Sequence, residues 1–297
     1  MNLKKKKILL TGASGFIGRN IAESYLAEKY FIIAPPRAKL DLGDEKSVNQ
    51  FFSENKFDII IHSACKPGHR NAKDPTNIFF ENTKMFFNRI KHSDKFERMI
   101  NLGSGAIYDS RSYKPKMQED YFEENIPQDE HGFCKYVTGK HICKIDNVVD
   151  LRIFGIFGKY EDYAIRFISN AICRTLFNLP VTIKQNRKFD YIYIDDLMPV
   201  LEYFIKNEPK YKAYNVTPDE SIELYELALK VKSISGKDLP VIMKEQGMGI
   251  EYSGDNSRIK KEIKNLNFVK IDDAIEKLYE YYKQNKQKIN IKLLEKI

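Results

Sequence analysis

Residues Ile8–Gly18 read ILLTGASGFIG, three glycines set where an apolar strand runs into an apolar helix. Gly12, Gly15 and Gly18 follow a GxxGxxG spacing, and each position has a physical demand. The turn must be tight, the backbone must be approachable by a bulky anion, and the helix must pack close on the strand. A helix starting there offers free amides and the positive end of its dipole, an arrangement suited to a pyrophosphate. The junction therefore predicts a dinucleotide-binding βαβ unit.

The pattern beyond the junction is consistent with that reading. Short apolar runs at Lys7–Leu10, Tyr30–Ala34, Asp58–His62, Arg98–Leu102 and Val149–Phe154 read as strands. Helices are expected at about Phe16–Glu28, Glu45–Asn55, Pro75–Lys91 and Glu130–Asp146, with Asp44 as an N-cap. Strand and helix in alternation predict an α/β fold, a Rossmann-type doubly wound parallel sheet. After Gly158 the alternation weakens and prolines punctuate the chain, which predicts a smaller mixed α/β C-terminal substrate domain. The expected division is 1–158 plus about 189–216 for the dinucleotide domain, and about 159–188 and 217–297 for the other. Ile271–Leu294 reads as one amphipathic helix with a lysine-rich face.

Composition narrows the partners. The chain has 297 residues, 42% hydrophobic and 30% charged, with a net charge of +8. Lysines and acids are interspersed along the chain and no stripe of arginine with aromatics appears, so nucleic acid is not the expected partner. The charge suits anionic small molecules. MNLKKKKILL has a basic start, but its apolar run ends after three residues, short of the about 7–15 of a secretory signal. No run reaches the roughly 18 apolar residues of a membrane span. A cytoplasmic protein without membrane insertion is expected. Cys65, Cys134, Cys143 and Cys173 show neither CxxC pairing nor histidine at metal spacing, so reduced, mostly buried thiols and no metal site are expected.

Tyr136 and Lys140 stand four residues apart, which on a helix puts both side chains on one face. A tyrosine with a pKa of about 10 becomes a usable acid or base when a neighbouring ammonium favours the phenolate. Together these motifs resemble the short-chain dehydrogenase/reductase superfamily, in its extended branch acting on nucleotide sugars. The resemblance is carried by TGASGFIG (Thr11–Gly18), Asp41-Leu42, HSA (His62–Ala64), Asn82, Ser104 in LGSGAIY, Tyr136–Lys140, LRIFGIFG (Leu151–Gly158) and DYIYIDDL (Asp190–Leu197). It implies a catalytic set of Ser104, Tyr136 and Lys140, in which Lys140 also holds the nicotinamide ribose and Ser104 the substrate oxygen. It implies cofactor contacts from Gly12, Ser14, Gly15, Phe16, Ile17 and Gly18, from Asp41 and Leu42 at the adenine, and from Ser63, Ala64 and Asn82. It also implies a homodimer through a two-helix bundle.

The cofactor is read after the second strand, where an acid would bind a ribose 2′-hydroxyl and a cation a 2′-phosphate. Ile32–Lys39 contains no acid, while Arg37 and Lys39 are cations, so NADP(H) is expected. RAKLDLGD (Arg37–Asp44) resembles the same segment of the NADPH-dependent GDP-fucose synthases.

Gly105-Ala106 follow Ser104 where dehydratases of the superfamily carry an acid pair and fucose synthases a cysteine. Dehydration and 3,5-epimerisation are therefore not expected, and plain reduction of a nucleotide-linked 4-keto sugar, 6-deoxy or heptose, remains. The resemblance implies a place in surface-polysaccharide sugar biosynthesis, of lipopolysaccharide or capsule. A nucleotide-sugar C4 epimerase and a non-catalytic NADP-binding protein are the alternatives. Candidate substrate contacts are Lys66, His69, Arg70, Ser104, Gly105, Ala106, Lys184, Arg187 and Arg258. Phe189 and Gly155 stand where relatives carry arginine and asparagine, and Asp195-Asp196 read as helix caps.

Overall fold

The computed structural model describes residues 5–69 and 71–295. Its centre is a six-stranded parallel sheet of β1 (Lys7–Thr11), β2 (Phe31–Ile33), β3 (Phe57–His62), β4 (Phe96–Ser104), β5 (Val148–Ile153) and β10 (Ala213–Val216), in the order β10-β5-β4-β3-β1-β2. The inner strands are covered on both faces, which explains why they read as apolar runs without alternation. Side chains still alternate between layers. Ile8, Leu10, Ile59, Ile61, Val149 and Leu151 enter one large core, and Leu9, Ile60, Met99 and Val148 enter a second.

The second core is closed by α3 (Glu45–Glu54), α4 (Ile78–Ile90) and α5 (Glu130–Ile142) through Phe52, Phe86 and Ile142. The first is closed by α1 (Phe16–Ala22), α2 (Tyr25–Lys29), α6 (Phe167–Leu176) and α7 (Leu197–Lys206), and it continues into α8 (Leu224–Ser235) and α10 (Ile271–Gln284) through Leu227 and Ile275. One apolar cluster thus joins the sheet to the C-terminal helices. Three two-stranded pairs complete the second half. They are β6 (Gly155–Phe157) with β9 (Tyr191–Tyr193), β7 (Val181–Asn186) with β12 (Val241–Met248), and β8 (Lys188–Phe189) with β11 (Ile222–Glu223). The short helices α9 (Ser257–Glu262) and α11 (Ile291–Glu295) end the list.

Several expected boundaries shift for local reasons. The first helix breaks in two because the Ser24 hydroxyl donates to the Ile21 carbonyl and accepts from the Leu26 amide, capping a new helix. The fourth starts at Ile78, not Pro75, after Asn77 in a left-handed conformation (φ 54°). Asp44 caps α3, its carboxylate accepting from Lys46 N at 3.2 Å. The C-terminal run is not one helix, since a 3₁₀ turn at Lys286–Lys288 separates α10 from α11. Of the cysteines only Cys134 and Cys173 are buried; Cys65 and Cys143 are exposed, and all four are free thiols.

Glu161 is buried beneath α6 and hydrogen-bonded to Ser169, and burial pushes its carboxyl up to about 8. Its folded value lies above the ordinary 4.5, so the unfolded chain binds fewer protons between these limits. Stability from this group is full below about pH 4.5 and is lost as pH rises through 8. Glu161→Gln keeps the shape without the titration. We expect the melting temperature at pH 8.5 to rise by roughly 2–5 °C relative to wild type, with little change at pH 5, in calorimetric scans.

Candidate active site

Strand order reverses between β1 and β3, and the crevice at their carboxyl ends is where an open α/β sheet binds ligands. A cavity of about 970 Å³ lies there. Its walls come from Thr11–Gly15, from the loop after β2 including Arg37, Asp41 and Leu42, and from Ser63–Pro67 after β3.

The glycines build the floor. Gly12 has φ +73°, and a Cβ on it would stand 2.6 Å from the Ala64 amide nitrogen. A Cβ on Gly18 would stand 2.2 Å from the Gly12 carbonyl oxygen. Neither position tolerates a side chain, because the obstruction is backbone. Gly15 differs: its Cβ would meet only Gly12 O, at 3.3 Å. Gly15 is the N-cap of α1 and has no side chain to cap it, and the first turn carries no acid. The helix amides therefore face the cavity uncapped, a cradle of the shape and polarity a pyrophosphate needs. Ser14 is exposed beside them, whereas Phe16 and Ile17 pack on the core.

Below the floor, Thr11 Oγ1 and His62 Nδ1 lie 2.8 Å apart and tie β1 to β3. Burial, with Arg89 and Lys135 nearby, pushes the His62 imidazole well below its usual value, so it is neutral. Ser63 spends its hydroxyl on the Thr11 carbonyl at 2.8 Å. Asn82 ties the loop to α4: it accepts from Lys66 N at 2.7 Å and donates to Lys66 O and to Ile78 O, both at 3.0 Å. It is not among the residues that line the cavity.

Arg37 projects into solvent at the rim, and its Nε donates to Asp41 at 2.9 Å. The Asp41 carboxylate also accepts from Gly43 N at 3.0 Å. Lys39 is exposed and off the cavity wall; Lys73, which no motif marks, is on it.

Ser104 ends β4, one strand beyond β3, and its Oγ accepts from Ala106 N at 3.1 Å. Tyr136 and Lys140 come from α5, where Asp129 caps the helix by accepting from Gly132 N at 2.8 Å. Tyr136 packs with Phe122 at 5.4 Å between ring centroids. Lys140 Nζ donates to Glu123 at 2.6 Å, and that hydrogen bond raises the ammonium's pKa. Glu123 itself has φ +82°, a left-handed conformation costly for a glutamate. Sequence reasoning had no signal for this pair, since nothing about a glutamate in an irregular loop marks its backbone conformation. It also missed His131, at the start of α5, which burial and Lys135 push down to about 4.

The substrate candidates separate. Gly105 is fixed beside Ser104, because a Cβ on it would lie 2.6 Å from Tyr252 Oη and 2.7 Å from Phe154. Arg187 lies over the Phe189 ring at 5.8 Å, and Phe189 contacts Tyr252 at 5.7 Å. That chain of contacts leads to Gly105, the residue after Ser104, beside which the Tyr252 hydroxyl stands. Lys66 lines the cavity but pairs with Asp74 at 2.7 Å. His69 Nδ1 faces Asp162 at 3.8 Å. Lys184 projects into solvent and pairs with Glu245 at 3.6 Å.

Arg258 is a correction. It donates to Asp120 at 2.6 Å and to the Ala213 carbonyl, at the amino end of β10, so it clamps the sheet edge away from the carboxyl-end crevice. Arg70 lies outside the described residues. Asp196 accepts from Tyr193 N at 3.1 Å and from Val269 N at 3.0 Å, a capping role. Among the described residues no cluster of metal-ligating side chains is present, and no helix is long and apolar enough to cross a membrane.

Comparison with known proteins agrees with this architecture. GDP-L-colitose synthase of Yersinia pseudotuberculosis is 23% identical, the alignment spanning 94% of this chain and 99% of that one. A GDP-L-fucose synthase of Azorhizobium caulinodans is 30% identical over 48% of this chain and 47% of its own. The solved structure of a GDP-mannoheptose C4 reductase from Campylobacter jejuni, with NADP bound, superposes with a TM-score of 0.81 at 21% identity, covering 95% of this chain and all of that one. That likeness is one of fold. The sequence model of the NAD dependent epimerase/dehydratase family matches residues 8–217, more than half of the chain, and the protein belongs to that family.

Proposed function

We propose that the protein is an NADPH-dependent reductase of the C4 ketone of a nucleotide-linked 4-keto sugar, 6-deoxy or heptose, acting without epimerisation at neighbouring carbons. One observation carries the reading: Ser104 ends the strand next to β3, and α5, which carries Tyr136 and Lys140, packs on the turn that follows it, a Cβ on Gly132 falling 2.7 Å from the Ala106 carbonyl oxygen, with no carboxylate, thiol or imidazole at Gly105 or Ala106. The names of the colitose synthase, fucose synthase and mannoheptose C4 reductase support the same class. Deprotonation at carbon needs a base of suitable pKa against the sugar, and a methyl group at Ala106 supplies none.

In this reading the uncapped amides of α1 hold the pyrophosphate, and Asp41 and Leu42 face the adenine. Arg37 takes the 2′-phosphate, exchanging Asp41 for a doubly charged partner matched to its planar fork. NADPH, when bound, supplies the hydride to the carbonyl carbon. Ser104 donates a hydrogen bond to the carbonyl oxygen, where negative charge develops. Tyr136 gives that oxygen its proton, and the Lys140 ammonium lowers the cost of the phenolate that results. Lys140 must leave Glu123 to reach the nicotinamide ribose. Arg187, in front of Phe189, is the candidate for the substrate's diphosphate.

The remaining assignments follow from the same reading. They are a dinucleotide domain of 1–158 with 189–216 and a substrate domain of the rest, a cytoplasmic enzyme of surface-polysaccharide sugar synthesis, and a homodimer through α4 and α5. The last is supported by Phe80 and Phe133, which remain exposed on those helices.

Incubation with NADPH and GDP-, dTDP- or CDP-linked 4-keto-6-deoxyhexoses tests the proposal. Oxidation of NADPH with at least one is expected, and Tyr136→Phe should lower its rate by roughly 10²–10⁴-fold. Interconversion of C4 epimers without added cofactor, and no oxidation with any donor, would instead identify an epimerase. Arg37→Ala should weaken NADPH binding by about 10–100-fold and leave NADH binding unchanged, in fluorescence titrations. Glu123→Gln, which releases Lys140 from a half-exposed ion pair, should tighten NADPH binding by up to about fivefold in the same titration.

A further inference from the structure

Three carboxylates line the cavity: Asp41, Asp74 and Glu81. Two have their partners within the protein. Asp41 accepts from Arg37 Nε at 2.9 Å and from Gly43 N at 3.0 Å. Asp74 accepts from Lys66 Nζ at 2.7 Å, and from Thr76 N and Oγ1 at 3.0 and 2.6 Å. Glu81, half-buried in the first turn of α4, differs. Among the described residues its side chain has neither hydrogen bond nor ion pair. Its position is marked by Gly43, where a Cβ would stand 3.7 Å from Glu81 Oε2 and 3.3 Å from Asp41 Oδ1. The free carboxylate therefore stands at the Asp41–Gly43 turn, on the β2 side of the cavity. Met85 lies one turn further along the same face of α4, and with Leu42 and Ala64 it gives this end apolar walls.

An unpaired carboxylate repels a cofactor that carries several phosphate charges, unless the cofactor brings it a donor. The amides of α1 and Arg37 already set the direction of the dinucleotide, pyrophosphate at the glycines and 2′-phosphate at the loop after β2. The adenosine end then lies toward Asp41, Gly43 and Glu81. On that end the base has one donor group, the exocyclic amine at C6. We propose that Glu81 determines which base is accepted, its free carboxylate taking a hydrogen bond from the adenine amine while Leu42, Ala64 and Met85 receive the ring. A carboxylate has no proton to give, so it repels the carbonyl oxygen that replaces this amine in hypoxanthine. The proposal rests on the reading of Arg37 as the 2′-phosphate residue. It moves recognition of the base from the loop after β2 to α4, and leaves Asp41 to shape the turn.

Fluorescence titration of the full chain with NADPH and with reduced nicotinamide hypoxanthine dinucleotide phosphate tests this without any sugar substrate. The two probes differ only in the base. The wild type should bind NADPH about 10–100-fold more tightly than the hypoxanthine analogue. Glu81→Ala should weaken NADPH and leave the analogue unchanged or tighter, so that the preference falls below about threefold. Glu81→Gln keeps the side chain's shape and adds a donor for the analogue's oxygen. It should tighten the analogue relative to wild type, a gain that a misfolded variant cannot show. A wild type that does not discriminate, or a preference that survives in both variants, would overturn the proposal and return the base to Asp41. Equal weakening of both dinucleotides with a lowered melting temperature would also overturn it, reducing Glu81 to a favourable charge at the start of α4. Arg37→Ala is the reference. If it leaves NADPH binding unchanged, the placing of the adenosine end fails and the inference with it. If it weakens NADPH while the Glu81 variants keep the wild-type preference, only the inference about Glu81 fails.

Discussion

The architecture depends on one close approach of backbone to backbone. The end of β1, the start of α1 and the end of β3 meet where Gly12, Gly18 and Ala64 have almost no space between them. Hydrogen atoms in place of two Cβ groups let α1 lie directly on the strand, with its amino end aimed at the crevice where strand order reverses. Any side chain at Gly18 would push α1 off β1 or push Gly12 into the crevice. The uncapped amides, the cavity and the tie between Thr11 and His62 follow from that contact.

The second constraint joins the two halves of the chain under the candidate active site. Asp190 is buried, and its carboxyl accepts from Gly254 N, Gly155 N and the Thr217 hydroxyl. Burial pushes it up to about 7 despite these donors. A Cβ on Gly155 would collide with the Asp190 carbonyl oxygen, so β6 and β9 leave no room for a side chain there. The same Asp190 stitches in residues 252–254, which is how a tyrosine so distant in sequence arrives beside Gly105.

Cations chosen by type alone divide according to their neighbours. Lys66 and Lys184 have carboxylate partners in the second half or the loop after β3, and Arg258 is held by Asp120 and the start of β10. Arg187 stays in the aromatic chain that leads through Phe189 and Tyr252 to Gly105. In a chain with 49 lysines and arginines, a cation's identity carries little information until its partners are known.

What the sequence determined by itself was local. GxxGxxG between an apolar strand and helix needs no distant contact to be read, because glycine's tolerance of φ +73° at Gly12 and of close backbone is a property of the residue. The doubly covered strands, the Asp44 cap and the shared face of Tyr136 and Lys140 were legible for the same reason, since periodicity fixes them. The break at Ser24, the left-handed conformations of Asn77 and Glu123, and the edge clamp of Arg258 were not. Each depends on a hydrogen bond or packing contact whose partner is chosen only when the chain closes. Tyr252 is the plainest case. A tyrosine in an irregular segment has no periodicity to announce it, and only the tertiary structure, by pairing residues 188–190 with 252–254, decided that its hydroxyl would stand against Gly105.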